Sequence, residues 1–194
     1  MDDLEPQIPS GKVHLAFTMS LDGFVAGPGH DMSFMAGTGA ANREGLLQEY
    51  IDATGAVLAG RDGFDSAIGD SRPYGGAWKG PIFVLTHHPD DARDDEDITI
   101  LSCPLPEAVQ IGLDAANGKN LQVLSASIGR QLLQLGLVDE IDIHIAPVLI
   151  GDGIRFYDVP GGHLLQLQRE GADAALAAHV RYRPVRTTNT SSNP

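Results

Sequence analysis

The sequence is poor in cysteine, in basic residues and in long apolar runs, and each shortage excludes a class of protein. Cys103 is the only cysteine among 194 residues, so the chain can form no internal disulfide and no thiolate cluster for zinc or iron–sulfur. The formal charge of −13 argues against nucleic-acid and anionic-membrane partners. No apolar run approaches the ~20 residues of a membrane-spanning helix. We therefore expect a small-molecule substrate.

The two ends of the chain are polar or proline-bearing, and the start does not resemble a secretory signal peptide. We expect a cytoplasmic protein. Its length suits one well-buried core, so we predict a single domain over 12–184 with flexible tails at 1–11 and 187–194. The acidic segment 90–97 lacks the ligand spacing and turning glycine of a calcium loop, and His87-His88 lacks a third ligand. These patterns predict no metal site.

Short apolar runs alternate with segments of helical periodicity. Asn42 is a plausible N-cap for a helix with apolar positions at Leu46, Leu47, Tyr50 and Ile51. Two further helices are bracketed by Pro106 and Gly118 and by Ile128 and Gly136, with Ile128, Leu132 and Leu135 turned inward. A mixed sheet is expected from strands at 13–19, 24–26, 56–59, 81–86, 98–101, 121–124 and 141–145, followed by a C-terminal antiparallel hairpin over 164–169 and 174–183.

Five motifs occur in a recognisable order: Ser20-Leu21-Asp22-Gly23-Phe24-Val25-Ala26, Gly60-Arg61, Val84-Leu85-Thr86, Arg130-Gln131-Leu132-Leu133 and the block 137–151. Together they resemble the dihydrofolate-reductase-like family, in the branch similar to the C-terminal reductase domain of riboflavin-biosynthesis deaminase-reductases. The resemblance implies a three-layer α-β-α fold with a mainly parallel mixed sheet. It also implies NADPH along the carboxyl ends of the strands, beside a flat unsaturated substrate.

The resemblance assigns roles to residues by position. Thr18 and Leu21 would line the nicotinamide, Asp22 would shape the loop that covers it, and Arg61 with Thr86 would face the ribose phosphate. The residues after Leu124 would begin a helix whose amides face the pyrophosphate. The full cofactor set implied is Thr18, Leu21, Asp22, Gly60, Arg61, Thr86, Leu124, Ser125, Ser127 and Ile128.

The chain departs from the family pattern at two places on the phosphate side. Gly60-Arg61-Asp62-Gly63 stands where the family usually has Gly-Arg-x-Thr, and Asp62 would repel a phosphate that it faced. Leu124-Ser125 replaces a Gly-Gly pair. In the family, the Gly-Gly pair allows an unusual backbone conformation and a close approach of the cofactor. A leucine there would block that approach or force a different peptide geometry, because only glycine adopts such backbone angles at low cost.

Substrate contacts are expected from aromatic and apolar residues near the cleft. The candidates are Phe34, Tyr50, Trp78 and Val148. The proton donor is not identified: Glu44, Glu49 and Asp52 lie on the first long helix but mostly off its apolar face. Asp139-Glu140 and His144 are interpreted as structural, surface or dimer-contact residues.

The leading hypothesis is an NADPH-dependent reductase of a small unsaturated or heterocyclic substrate, acting as a homodimer. Arg61 and Thr86 favour it. Leu124-Ser125 and Asp62-Gly63 favour two alternatives. One is a family member that has lost NADPH and catalyses a cyclisation or isomerisation; the other is a non-catalytic small-molecule binding protein.

Overall fold

The computed structural model describes residues 11–35, 46–66, 72–92 and 95–168. The chain divides into two units, Met1–Asp158 and Val159–Pro194. The described part of the second unit, 159–168, contains neither helix nor strand. The helices of the first unit are α1 (Leu46–Ala53), α2 (Arg61–Ser66), α3 (Leu105–Ala116) and α4 (Ala126–Leu135). Its strands are β1 (Val13–Ser20), β2 (Phe24–Ala26), β3 (Thr54–Gly60), β4 (Ile82–Leu85), β5 (Ile98–Leu101), β6 (Asn120–Leu124), β7 (Glu140–Ala146) and β8 (Ile154–Arg155).

Six strands form one parallel sheet in the order β5-β4-β3-β6-β1-β7. A separate antiparallel pair joins β2 to β8. Since partnered residues of parallel strands point to the same face, the register sorts the side chains into two sets. His14, Gln122 and Val57 share one face through the pairs His14↔Gln122 and Val57↔Gln122. This face carries the candidate site.

Helices cover both faces of the sheet, as the three-layer prediction requires. On one face, Val57, Trp78, Ile82 and Val84 form a buried cluster, against which pack Ile51, Ala59, Phe64, Tyr74, Ile98, Ile100 and Leu124. On the other face, α3 and α4 approach the strands through glycines. A Cβ at Gly112 would lie 2.6 Å from Leu121, and one at Gly129 would lie 3.3 Å from Leu15. Residues larger than glycine would separate these helices from the sheet.

The α/β class and the mainly parallel sheet are confirmed, and the predicted strands lie within about two residues of the observed ones. Three details were wrong. The alternation of isoleucines at 141, 143 and 145 predicts that Ile145 points inward, and the helical pattern predicts the same of Leu135, but these residues are 40% and 55% exposed. β7 lies at the edge of the described sheet, where fewer neighbours cover it. Residues 164–168 form no strand. The rest of the predicted hairpin, and the Asn42 cap, lie outside the described residues.

In the part of the chain that the structure describes, no helix has the length and apolar character needed to cross a bilayer. Within the same residues, no three His, Cys, Asp or Glu side chains are grouped so that they could hold a metal ion.

Candidate functional site

The expected ligand crevice lies where the connections after β3 and β6 leave the sheet on opposite sides. After β3 the chain enters α2, whose Phe64 packs on the face of the buried cluster, and after β6 it enters α4 on the other face. Such a switch point at the carboxyl ends of parallel strands is where open α/β sheets bind ligands. A Cβ on Gly60 would lie 2.8 Å from Ser125 Oγ. Glycine at position 60 therefore allows the start of α4 to pack closely against the end of β3.

The end of β1 is tied to the loop after β7 by one carboxylate. Asp22 accepts hydrogen bonds from Ser20 Oγ at 2.6 Å, from the Ile150 amide at 3.1 Å and from the Gly151 amide at 2.8 Å. The Leu21 amide donates to the Val148 carbonyl at 2.9 Å. The Ser20 bond, with the two loop amides, lowers the pKa of Asp22 from 3.8 to about 2. Asp22 thus holds two segments of the site together.

This loop contact is expected to be sensitive to acid. Because the pKa of Asp22 is lower in the folded protein than its ordinary value of 3.8, its contribution to stability is complete above that pH and is lost as the pH falls through about 2. Amide hydrogen exchange at Ile150 and Gly151 reports the contact. We expect Asp22→Asn to speed exchange at these two amides roughly ten-fold at neutral pH, and unchanged protection in the variant would contradict this.

Arg61 begins α2, directly after β3. Its guanidinium pairs with Asp65 through Nε, donates from Nη1 to the His88 carbonyl at 3.1 Å, and donates from Nη2 to the Asp91 carbonyl. Thr86 is buried, and its Oγ1 accepts a hydrogen bond from the His88 amide at 3.1 Å. Arg61 and Thr86 therefore shape the same turn at the carboxyl ends of β3 and β4.

The Leu124-Ser125 pair has an ordinary backbone conformation. The Leu124 side chain packs on the buried cluster. Ser125 has the extended backbone angles φ −155° and ψ 120° and caps α4 by accepting from the Ile128 amide at 3.4 Å. Its hydroxyl lies 3.2 Å from Ser127 Oγ. The peptide geometry therefore needs no glycine here, and the effect of Leu124 on the approach of a cofactor stays a prediction.

A cluster of four polar side chains lies on the sheet face below α1. His14 Nε2 lies 3.1 Å from Asp142 Oδ2, and the Tyr50 hydroxyl donates to the same oxygen at 2.9 Å. The Tyr50 hydroxyl also lies 3.0 Å from His144 Nε2. The hydrogen bond from His14 is the main reason that the pKa of Asp142 is lowered. We call these four residues the His14–His144 cluster.

This cluster extends toward the cleft. Thr18 pairs with His144 in the register of β1 and β7, and Ser20 pairs with Ala146. His144 therefore lies two residues before the end of β7, which is about 7 Å along the strand from the carboxyl end of the sheet. The imidazole is half-buried, whereas His14 is only 1% exposed. The cluster thus joins a buried histidine to one beside the expected ligand cleft.

Gln122 adds an unsatisfied amide on the same face. It is 1% exposed, and neither Nε2 nor Oε1 has a hydrogen-bond partner within the described residues. Its neighbour in the sheet register is His14. A buried polar group left without a partner costs about 1–3 kcal/mol, so the amide adds donor and acceptor capacity below the cleft that water or a polar ligand could satisfy.

Comparison with known proteins places this arrangement in a family. The model of the RibD C-terminal domain matches residues 76–176, just over half of the 194-residue chain. The chain belongs to the RibD C-terminal domain family. The reductase family that the motifs suggested is thereby confirmed. No curated protein matches the chain in sequence.

Solved structures share the fold of this RibD C-terminal domain at low sequence identity. A putative riboflavin biosynthesis protein from Shewanella sp. PV-4 is 17% identical, with a TM-score of 0.61, over 76% of this chain and 84% of that one. Dihydrofolate reductase from Enterococcus faecalis, complexed with NADP(H) and RAB-propyl, is 14% identical, with a TM-score of 0.51, over 78% of this chain and 80% of that one.

A deaminase-reductase from Thermotoga maritima is similar over only part of its length. Its name is diaminohydroxyphosphoribosylaminopyrimidine deaminase/5-amino-6-(5-phosphoribosylamino)uracil reductase. The two chains are 14% identical, with a TM-score of 0.53, over 84% of this chain and 51% of that one. This RibD C-terminal domain therefore spans about half of that protein.

The structure groups most of the residues that were predicted to bind cofactor or substrate. Thr18, Leu21 and Asp22 lie at the end of β1 with Val148 beside them. Gly60, Arg61, Thr86, Ser125 and Ser127 lie at the carboxyl ends of β3, β4 and β6. Ile128 is buried behind them and is 5% exposed. Leu124 packs on the buried cluster.

The aromatic residues that were predicted to contact substrate lie in different surroundings. The prediction for Trp78 was wrong: this residue is 7% exposed in the buried cluster, and its indole N–H donates to the Thr54 carbonyl at 3.0 Å. A tryptophan side chain has a large apolar area, and burying that area in the core stabilises the fold. Phe34 is half-buried in the short turn Ser33–Met35. Tyr50 is buried with its hydroxyl in the His14–His144 cluster.

One acidic residue of the first helix, Asp52, makes a side-chain hydrogen bond outside this cluster. Asp52 is exposed and accepts from Gln48 at 2.8 Å, and Glu44 lies outside the described residues. The interpretation of His144 as a surface residue was wrong, because its side chain is half-buried and α1 places Tyr50 against it. A dimer contact through His144 stays a prediction. The signal that could have located the cluster is the alternation of polar residues on β7 with the isoleucines, once β7 is paired with β1.

Proposed function

We propose that this protein is an NADPH-dependent reductase of a small unsaturated or heterocyclic substrate. The observation that carries the proposal is the gathering of the predicted cofactor residues at the carboxyl ends of parallel strands, at the switch point of the sheet, in a RibD C-terminal domain. Arg61 and Thr86 lie on one side of this switch point, and Thr18 and the Asp22 turn lie on the other.

The residues present are compatible with a dinucleotide. Gly60 allows the start of α4 to pack closely against the end of β3, and the serine hydroxyls at the start of α4 offer donors for a pyrophosphate. Arg61 provides a guanidinium for a ribose phosphate. When bound, NADPH supplies a hydride to an unsaturated carbon of the substrate. Thr18 and Leu21 would set the depth and orientation of the nicotinamide, and the Asp22-anchored loop would exclude water.

The proton that accompanies the hydride is assigned to the His14–His144 cluster. His144 stands next to Thr18 across the β1–β7 pair, on the face that α1 covers. Tyr50 and Asp142 orient its imidazole and connect it to His14 through hydrogen bonds of about 3 Å. A protonated His144 would give one N–H proton to the heteroatom next to the carbon that receives the hydride.

The substrate proposed first is a pyrimidine. The Thermotoga maritima protein is named as a reductase of 5-amino-6-(5-phosphoribosylamino)uracil, and the Enterococcus faecalis protein as a reductase of dihydrofolate. Both names contain a flat nitrogen heterocycle. The unsatisfied amide of Gln122 and the polar cluster beside it suit such a ligand, because its ring edge offers both donors and acceptors.

The proposal is tested by calorimetric titration of the protein with NADPH, and with NADH for comparison. We expect micromolar binding of NADPH, followed by NADPH oxidation when one of the two named heterocycles is added. Gly60→Ala should weaken binding at least about ten-fold, because the new methyl would meet Ser125 Oγ. Gly63→Ala is the matched control, since a Cβ there meets nothing within 4 Å.

The opposite outcome has a definite meaning. No heat of binding up to millimolar NADPH would end the reductase proposal. The polar face would then be interpreted as the site of a cofactor-free isomerisation or cyclisation, or of simple binding.

A further inference from the structure

The Arg61 guanidinium, which is proposed to bind the ribose phosphate, already makes hydrogen bonds within the protein. Asp65, one helical turn after Arg61, pairs with Nε, while the carbonyls of His88 and Asp91 take one donor each from the two Nη atoms. Arginine has five N–H donors, so these contacts use three of them. The pair is not deeply buried, because the side chains of Arg61 and Asp65 are 20% and 44% exposed.

Other carboxylates adjoin the same turn. Asp62 lies next to Arg61 in the first turn of α2, and Asp90 and Asp91 lie in the 3-10 turn whose carbonyl Arg61 contacts. Both Asp62 and Asp65 are exposed. A phosphate that approached Arg61 would have to displace or share Asp65, and it would meet repulsion from the neighbouring carboxylates. A ribose hydroxyl would meet no such repulsion, because a carboxylate accepts a hydrogen bond from it.

We propose that Asp65 determines the choice between NADPH and NADH by competing with the 2′-phosphate for the Arg61 guanidinium. The two nucleotides differ only in that phosphate. Wild-type protein therefore binds NADPH less than about ten-fold more tightly than NADH, because Asp65 cancels most of the advantage that a guanidinium gives the phosphate. This inference rests on the proposed function, since it requires a dinucleotide in the crevice.

The test is a calorimetric titration of wild type and Asp65→Asn with NADPH and NADH at moderate ionic strength. The variant should bind NADPH about five- to ten-fold more tightly and bind NADH within about two-fold of wild type. Raising the salt concentration should reduce the gain. Adding Arg61→Ala to the variant should abolish it. Asp65→Ser provides a second neutral replacement, in case asparagine retains the contact with Nε.

The matched control is Asp114→Asn on α3. Like Asp65, Asp114 accepts from a side chain four residues earlier, Gln110 Nε2 at 2.8 Å. It should change neither affinity. Equal gains for both nucleotides, or no gain for NADPH with either neutral residue at position 65, would overturn the role of Asp65 while leaving the reductase proposal intact. Failure of every variant to bind either nucleotide would overturn both.

Discussion

Replacing Asp142 with alanine is expected to lower the free energy of unfolding by about 3 kcal/mol. Asp142 accepts hydrogen bonds from the buried His14 and from Tyr50, so its loss removes the partner of a side chain that is only 1% exposed. Removing one member of a buried polar pair is costly because the other stays desolvated. The side chain of Asp142 is itself 32% exposed, which keeps the expected loss at the low end of the range for buried pairs.

Urea unfolding followed by circular dichroism measures this loss. Asp62→Ala is the control: Asp62 is exposed on α2, and a surface change of this kind should stay within about 0.5 kcal/mol. The double variant His14→Leu with Asp142→Leu should recover part of the stability, because no buried imidazole then lacks its carboxylate partner. If Asp142→Ala and Asp62→Ala changed the free energy of unfolding equally, the hydrogen bonds of Asp142 with His14 and Tyr50 would not stabilise the protein in solution.

The contribution of Asp142 to the free energy of unfolding should decrease as the pH falls. Its pKa in the folded protein is lowered below the ordinary value of 3.8, chiefly by the hydrogen bond from His14. The stabilising contribution is therefore complete above that pH and is lost as the pH falls through the lowered value. The difference between wild type and Asp142→Ala should accordingly narrow in acid.

Tyr50→Phe is expected to lower kcat for reduction about 100-fold and to change KM less than about three-fold. The substitution removes only the hydroxyl, which connects Asp142 to His144 at 2.9 and 3.0 Å. Without it the imidazole of His144 loses the group that orients it. The aromatic ring still packs against His14 and His144, so the structural cost should be limited to about 1 kcal/mol.

Steady-state NADPH oxidation with an acceptor that the wild type reduces measures this effect. Tyr74→Phe is the matched control, since its hydroxyl makes a single side-chain contact, to Thr54 Oγ1 at 3.2 Å, outside the cluster. The solvent isotope effect on kcat should rise in Tyr50→Phe, because proton transfer becomes slower. A kcat close to that of Tyr74→Phe would exclude the cluster as the proton source.

The sequence located the strands well for a local reason. β2 and β5 begin and end where the apolar runs 24–26 and 98–101 do, since strand formation depends on short-range alternation and on the turn residues that bound it. Helix ends were equally accessible: Pro106 lies in the first turn of α3, and Gly136 caps α4 in the left-handed region at φ 67°. These features depend on a few neighbouring residues.

The surroundings of Trp78, Leu124 and His144 could not be predicted from the sequence, for a different reason. Each depends on what the tertiary structure puts beside the side chain. Trp78 and Leu124 pack on the same buried cluster although 46 positions separate them, and no local pattern announces such a contact. His144 is opposite Tyr50 only because β7 pairs with β1 and α1 crosses that face.

Sequence by itself thus determined the family, the alternation of strands and helices, and the segments that reach the carboxyl edge of the sheet. Those features follow from motifs and periodicities that can be recognised in the sequence without knowledge of tertiary contacts. Tertiary structure alone decided that Arg61 is engaged by Asp65, that Leu124 packs on the buried cluster, and that His14, Tyr50, Asp142 and His144 meet. The physical reason is register: parallel strands bring residues more than 100 positions apart into contact, and a shift of one residue would turn each side chain to the opposite face.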